Sequence, residues 1–458
     1  MKLLRWGLKL AGLTLLLGGL AVGALVLWLR HYVQTPEFAQ DVKRVGSQLS
    51  GAEVSFDHLQ WDIGRGLTVE NVHLVRPGEE GSPEPAARMQ AWQVILKYDW
   101  PSIWRRQFEI TRLTFKSPRF VLRQQDSGDF LLPFAPPANL PRMPRAPIAA
   151  QLGAFNLDNG EVRILRRDGR PILEVRDFQA EGQRPNGGNG GVALTGAVHL
   201  ARLVLWGKVV VNGLQSPYRY QDELLKMTSV QGELYGGRIS GQWEQQLGNP
   251  EIPYSASLDI QGIDLGRLLA EAADSPDVMT GRLNLATTWL GPGNRPLNVA
   301  GEGSFEVSQG RVLNVPLFRE LAARLPGLQV VASPDYESIS GEYTLVDQQI
   351  QFRQLRFKST LFEVAGEGTV TFDHRVRARL VLAVNPRLAR QLPREASSLM
   401  ETRSDQYKTF EVLVAGTLEA PQLSIPVSDA MRDQAWESLR RFLDAAPKPE
   451  SVPAGRPD

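Results

Sequence analysis

The chain has 458 residues, 42% of them apolar and 22% charged, which excludes a disordered, collagen-like or low-complexity protein. Lys and Arg number 51 against 50 Asp and Glu, with the arginines scattered through the chain, so no global field draws nucleic acid and no such partner is expected. The absence of cysteine removes disulfides, thiol catalysis and cysteine-ligated zinc together.

At the N-terminus Lys2, Arg5 and Lys9 precede residues 10–29, a run without a single charge. At ~1.5 Å rise per residue such a run matches the hydrocarbon thickness of a bilayer. A cleavable signal would end in small residues, and Ala21-Val22-Gly23 or Val22-Gly23-Ala24 can be read that way. The apolar run of Leu10, Leu15, Leu20 and Leu25 continues to Trp28 and Leu29, with Arg30 and Tyr32 as interfacial anchors, which favours a retained transmembrane helix over residues 1–32. The basic flank holds the N-terminus in the cytoplasm and sends the rest of the chain across. In a Gram-negative cell the expected location is the inner membrane, single-pass, with the bulk of the chain in the periplasm.

Residues 51–77 alternate through Val54 and Phe56, slip phase at Asp57-His58, resume at Leu59, Trp61 and Ile63, turn at Gly64-Arg65-Gly66 and return through Leu67 and Val69. That pattern predicts a hairpin with a bulge. Short alternating runs follow at 92–98, 108–115, 119–123, 160–166, 192–200, 203–211, 228–246, 254–260, 282–290, 303–313, 339–358, 361–384 and 410–426. With few helical patterns between them to serve as crossovers, they predict an antiparallel all-β protein. Three helices are expected: after Asp264 (Leu265, Leu268, Leu269), after Asn314 (Val315, Phe318, Leu321, Leu325) and after Ser428 (Met431, Ala435, Leu439, Phe442). Residues 133–150 read as a Pro-rich connection, 182–191 as a loop, and 445–458 as a disordered tail.

The five histidines, His31, His58, His73, His199 and His374, form no helical pair and no metal motif. Glu302, Glu306, Glu363 and Glu367 read as the wet face of strands, not as paired catalytic carboxylates. "GEGSF" (301–305) and "GEGTV" (366–370) lack the Lys-Ser/Thr of a phosphate loop and read as strand-edge turns or bulges where a sheet bends. No catalytic residue, metal ligand or cofactor is expected, and the protein is expected not to be an enzyme. The pattern that stands out is apolar: Val376, Ala378, Leu380, Leu382 and Val384 share one face of a strand with Arg377 and Arg379 on the other, and Val412 and Val414 repeat it. Alternation alone leaves two occupants open for that face, a lipid chain or the protein's own core.

Residues 258–293, 299–325 and 336–372 resemble the C-terminal region of the AsmA-like family. The matching features are Asp264-Leu265, Leu268-Leu269, Gly281, Gly301 and Gly303 with Gly310, the helix at 317–325, the strand at 341–345, and Gly366 with Gly368. "VQGELYGGRISGQW" (230–243) is similar to the family's Tyr-Gly-Gly hairpin, and an anchor followed by "GAEVSFDHLQW" fits its organisation. The resemblance implies an elongated curved antiparallel sheet, an open β-groove with a few short helices, behind one transmembrane helix. It divides the chain into an anchor (1–32), a chorein-like N-terminal β region (33–132), the connection (133–150), a β-groove (151–427) that is AsmA-like from about 225, and an amphipathic helix (428–444) before the tail. The implied function is to carry phospholipid acyl chains from the inner membrane towards the outer membrane, with the C-terminal helix meeting the outer membrane or its assembly factors. Val376, Ala378, Leu380, Leu382, Val384, Val412 and Val414 are then the groove candidates. The alternative is a non-enzymatic periplasmic scaffold that modulates outer-membrane protein assembly.

Overall fold

A computed structural model describes residues 35–62, 66–78, 84–99, 110–133, 152–185, 193–247, 253–292, 299–324, 329–390, 400–402 and 406–425. Of these about 67% are strand and 11% helical, so the protein is nearly all-β, with mostly antiparallel pairing and few short helices. The expected anchor at 10–29, the connection beyond Pro133, the helix at 428–444 and the tail lie outside the described residues. Among the described residues no helix is long and apolar enough to cross a membrane.

The chain divides into two compact units, 1–276 with 283–303, and 277–282 with 304–458. Among the described residues the first begins with a helix where β structure is expected, α1 (Pro36–Ser50). The Thr35 hydroxyl accepts the Phe38 N–H at 3.4 Å, Pro36 fills the first turn, and Gly51 at φ 65° ends it. Then come β1 (Glu53–Ser55), β2 (His58–Asp62), β3 (Gly66–Arg76), β4 (Ala87–Tyr98), β5 (Ile110–Lys116), β6 (Arg119–Arg123) and β7 (Ala154–Leu165). They continue as β8 (Pro171–Gln183), β9 (Ala193–Leu205), β10 (Val209–Gln221), β11 (Leu224–Leu234), β12 (Gly237–Gln246) and β13 (Pro253–Asp264). Each of β7 to β13 pairs antiparallel with its neighbour in sequence. β1 and β2 both pair with β3, and β5 and β6 lie in line between β4 and β7. The β5–β7 and β6–β7 pairs are parallel, a departure from the expected all-antiparallel order. It requires the long connection after β6, because parallel strands cannot be joined by a hairpin.

One row of backbone crosses this sheet from β3 to β10. Asn71 (φ 52°), Ser117 (φ 47°), Asn159 (φ 55°), Asp177 (φ 51°) and Gly213 (φ 58°) are left-handed. The register aligns them. Asn71 lies opposite Trp92, the Asn159 amide donates to the Ser117 hydroxyl at 3.4 Å, and Asp177 and Gly213 flank Ala201. At this row the apolar residues step by three: Phe56 to Leu59, Val69 to Val72, Ala91 to Val94, Val175 to Phe178, Leu200 to Leu203 and Val211 to Leu214. In a regular strand an odd step moves a side chain to the other face. Here Phe56, Leu59, Val69, Val72, Ala91 and Val94 all join one cluster, so the row lets a single face stay apolar on both sides of it.

β13 ends at Asp264, whose carboxylate accepts the Arg267 N–H at 3.1 Å and starts α2 (Leu265–Ala272) as the sequence predicts. β14 (Arg282–Pro292) belongs to the first unit from Leu283 on, and β15 (Ala300–Arg311) runs from the first unit into the second. The second unit continues with α3 (Pro316–Arg324), β16 (Asp335–Val346), β17 (Gln349–Lys358), β18 (Phe362–Thr371), β19 (Val376–Val384), a short α4 (Pro386–Ala389), β20 (Glu401–Thr402), β21 (Lys408–Gly416) and β22 (Pro421–Ser424). β16 to β19 pair in sequence order, and β21 lies between β19 and β22, all antiparallel.

Gly366 and Gly368 sit inside β18, not at a turn. A Cβ on Gly366 would collide with the Arg379 carbonyl and lie 3.0 Å from the Leu380 Cα, so these glycines answer a close approach of β19. The irregularity belongs to the partner strand, where Gln354 is left-handed and the β17–β18 register shifts between Phe352 and Leu355.

Candidate functional site

One face of the first unit's sheet is apolar. Cross-strand register stacks its side chains into rungs such as Leu96–Leu113–Phe155 and Phe178–Leu200. Side chains directly opposite share a face, so each rung extends the same surface. The opposite face carries Arg88, Arg112, Arg119, Arg163, Arg176, Gln179 and Glu181, five of the seven cationic, with Val121 among them.

Two clusters anchor the apolar face. One holds Phe56, Val72, Met89 and Ala91, with Ala39 and Val42 of α1 packed on it. The other holds Val211, Leu234, Ile239 and Ile260, with Leu268 and Ala272 of α2 packed on it. Both are assembled from neighbouring strands of one sheet and one helix. No residue of β7 or β8 belongs to either; between them Phe155, Phe178, Ala180 and Leu200 are half-buried, while Leu157, Val175 and Val198 on the same face are buried. Over β11 to β14 lies a shallow depression of about 550 Å³, lined by Val230, Gly241, Leu258 and Thr287 together with Ser229, Ser240, Ser257 and Thr288.

Aromatic rings lie on glycines along this face. The Phe155 ring and the Tyr218 hydroxyl occupy the space a Cβ on Gly182 would take, the two ring centroids lying 6.4 Å apart, and the Tyr218 hydroxyl donates to the Glu181 carbonyl at 2.9 Å. Burial pushes its phenol up to about 12, with the Glu181 charge adding to the effect. Trp243 and Tyr254 stack at 4.5 Å, with Gly291 beneath the Tyr254 ring.

In the second unit the alternation of β19 is as the sequence predicts: Val376 and Ala378 are half-buried, Leu380, Leu382 and Val384 buried, and Arg377 and Arg379 exposed. Val412 and Val414 are buried beside them. The reading of Leu380, Leu382 and Val412 as an open lipid-facing surface is corrected by what covers them. Leu317, Phe318 and Leu321 of α3 close over Val364, Leu380, Leu382 and Val412, leaving a void of about 30 Å³, which is space for a water and not for an acyl chain. Phe318 also meets Phe357 at 5.1 Å, and Phe357 stacks on Phe362 at 5.4 Å, so this rung is packed core.

Of the residues weighed for chemistry, His374 Nδ1 lies 2.6 Å from the Glu419 carboxylate between two exposed turns, and its neighbour Asp373 is held at about 2 by Arg375 and Thr371. Glu302, Glu306 and Glu367 are exposed and Glu363 half-buried. Among the described residues no three or more His, Cys, Asp or Glu side chains group as metal ligands.

No family model, no curated protein and no solved structure matches the chain. The fold by itself defines the class: a nearly all-β protein whose first unit, among the described residues, presents an apolar sheet face with helices α1 and α2 packed on two of its clusters.

Proposed function

We propose that the protein is an inner-membrane-anchored, AsmA-like periplasmic protein that carries phospholipid acyl chains along the apolar face of its first unit towards the outer membrane. The observation that carries this reading is the stretch of β7 to β9 between the two helix-roofed clusters, where Phe155, Phe178, Ala180 and Leu200 line one face without joining either cluster. Each methylene sheltered there contributes ~0.8 kcal/mol, so a lipid tail needs a continuous apolar path and no specific pocket. The charge-free run at 10–29 supplies the attachment to the source membrane, and the segment at 428–444 is the part proposed to meet the outer membrane or its assembly factors. In this reading the headgroup stays in water and the protein is not an enzyme.

The test is photocrosslinking in cells from a benzophenone amino acid at Phe178 or Leu200, with Gln179 on the opposite face as the comparison. Lipid adducts at Phe178 and Leu200 and none at Gln179 are expected. Adducts at none of the three overturn the proposal.

A second reading is a non-enzymatic scaffold that modulates outer-membrane protein assembly. It is favoured by the second unit, where α3 closes the face that would have to stay open. Protein adducts in place of lipid at Leu200 would select it.

A further inference from the structure

The polar face of the first unit carries a two-by-three array set by register. Arg88 of β4, Val121 of β6 and Arg163 of β7 form one rung, and Gln90, Arg119 and Glu161 form the next. These six side chains line a pocket of about 150 Å³. Three arginines therefore border one pocket, with the shorter Val121 between Arg88 and Arg163.

The local charges are not neutralised. Arg119 reaches Glu161 through Nε alone at 3.4 Å, an exposed pair that contributes little and yields readily. Glu174, directly across from Arg163, lies 3.8 Å from Arg176 instead. Among the described residues Arg88 and Arg163 make no ion pair. Two unpaired, fork-shaped donors on either side of a short apolar side chain suit a tetrahedral dianion, because guanidinium groups grip phosphate oxygens in pairs. A carboxylate, with two oxygens in one plane, offers fewer acceptor directions to share between two guanidinium groups.

We propose that Arg88 and Arg163, supported by Arg119 and Gln90, form a binding site for a phosphate group on the polar face of the first unit. The site lies on the side of the sheet away from the acyl-chain path and does not rest on that reading. Its ligand is defined by the phosphate monoester or phosphate dianion, which is shared by a lipid headgroup and by free phosphate.

The full-length protein is titrated calorimetrically with inorganic phosphate and, separately, with dihexanoyl phosphatidic acid below its micellar concentration. The variants are R88Q/R163Q and, as a comparison elsewhere on the polar face, R219Q. The expected result is saturable binding that falls by at least roughly tenfold in R88Q/R163Q, the loss of charge-assisted hydrogen bonds, and is unchanged in R219Q. Tighter binding of phosphatidic acid assigns the site to a headgroup, and equal binding assigns it to free phosphate. Urea midpoints matching the parent protein show that R88Q/R163Q is folded. Absence of saturable binding, or an equal loss in R219Q, overturns the proposal.

Discussion

Asn71 and Asp57 face each other across the first hairpin, the Asn71 amide donating to the Asp57 carboxylate at 2.8 Å, at the rung where the apolar alternation skips in both strands. The left-handed backbone at Asn71, φ 52°, is what resets the phase of β3. A β-branched residue resists that conformation, while glycine adopts it freely and loses only an exposed hydrogen bond. Asn71→Val is therefore expected to cost about 2 kcal/mol in urea unfolding, and Asn71→Gly under about 1. Equal costs would show that the side chain, and not the backbone, holds this rung.

The same row explains which parts of the fold were legible in the sequence. Where strands alternate without interruption, as in β12, β13 and β19, period-2 reading located them. β8 was missed because Leu173 and Val175 are out of phase with Phe178 and Ala180 around the left-handed Asp177, so no long alternating run exists to be read. The phase slip read at Asp57 is present, but the bulge expected there is not, because β1 and β2 keep equal residue counts against β3 and the left-handed Asn71 resets the phase instead. α1 was legible in the sequence, since Thr35, Pro36 and Gly51 mark its ends and Phe38, Val42, Val45 and Leu49 recur at helical spacing, a stripe that the assignment of 33–132 to β structure passes over. The apolar stripe of β19 was legible as a stripe. That α3 would lie on it was not, since a helix and a lipid chain cover the same pattern of side chains.

Gly366 illustrates a residue whose reason lies on another strand. Its alanine variant would drive a methyl group into the Arg379 carbonyl of β19. Because that obstacle is backbone in a paired ladder, it cannot rotate aside, and Gly366→Ala is expected to cost roughly 1–3 kcal/mol. Ala365 points to the exposed face, so Ala365→Ser should change stability by less than about 0.5 kcal/mol. Thermal unfolding of the two variants side by side checks the difference, and a neutral Gly366→Ala would mean that β18 and β19 separate more easily than their register implies.

Leu382 and Arg379 test the two faces of β19. Leu382 is 1% exposed beneath α3, and an aspartate there would bury a charge with no partner. Leu382→Asp is expected to cost about 4 kcal/mol or more, enough to lower the yield of folded protein. Arg379 pairs with Glu411 at 2.6 Å, but its side chain is 67% exposed, so Arg379→Ala should cost under about 1 kcal/mol. Urea unfolding of both reads the contrast directly. Equal costs would reverse the assignment of the faces.

Tyr218 gives the first unit a signature at alkaline pH. Its folded-state value is pushed up to about 12 from 10.0 by burial and by the Glu181 charge, so the folded protein favours the neutral phenol more than the unfolded chain does. A raised folded value means that the stabilisation is complete below pH 10 and is lost as the pH rises from there towards about 12. Tyr218→Phe removes the ionisation together with the hydrogen bond to the Glu181 carbonyl. The variant should start less stable than the parent at neutral pH by about 1 kcal/mol and lose less between pH 10 and pH 12. Urea midpoints measured across that range check both halves of the expectation. Parallel curves for parent and variant would show that the Tyr218 hydroxyl ionises as freely in the folded sheet as in water, and that it is not held against Gly182 and the Glu181 carbonyl.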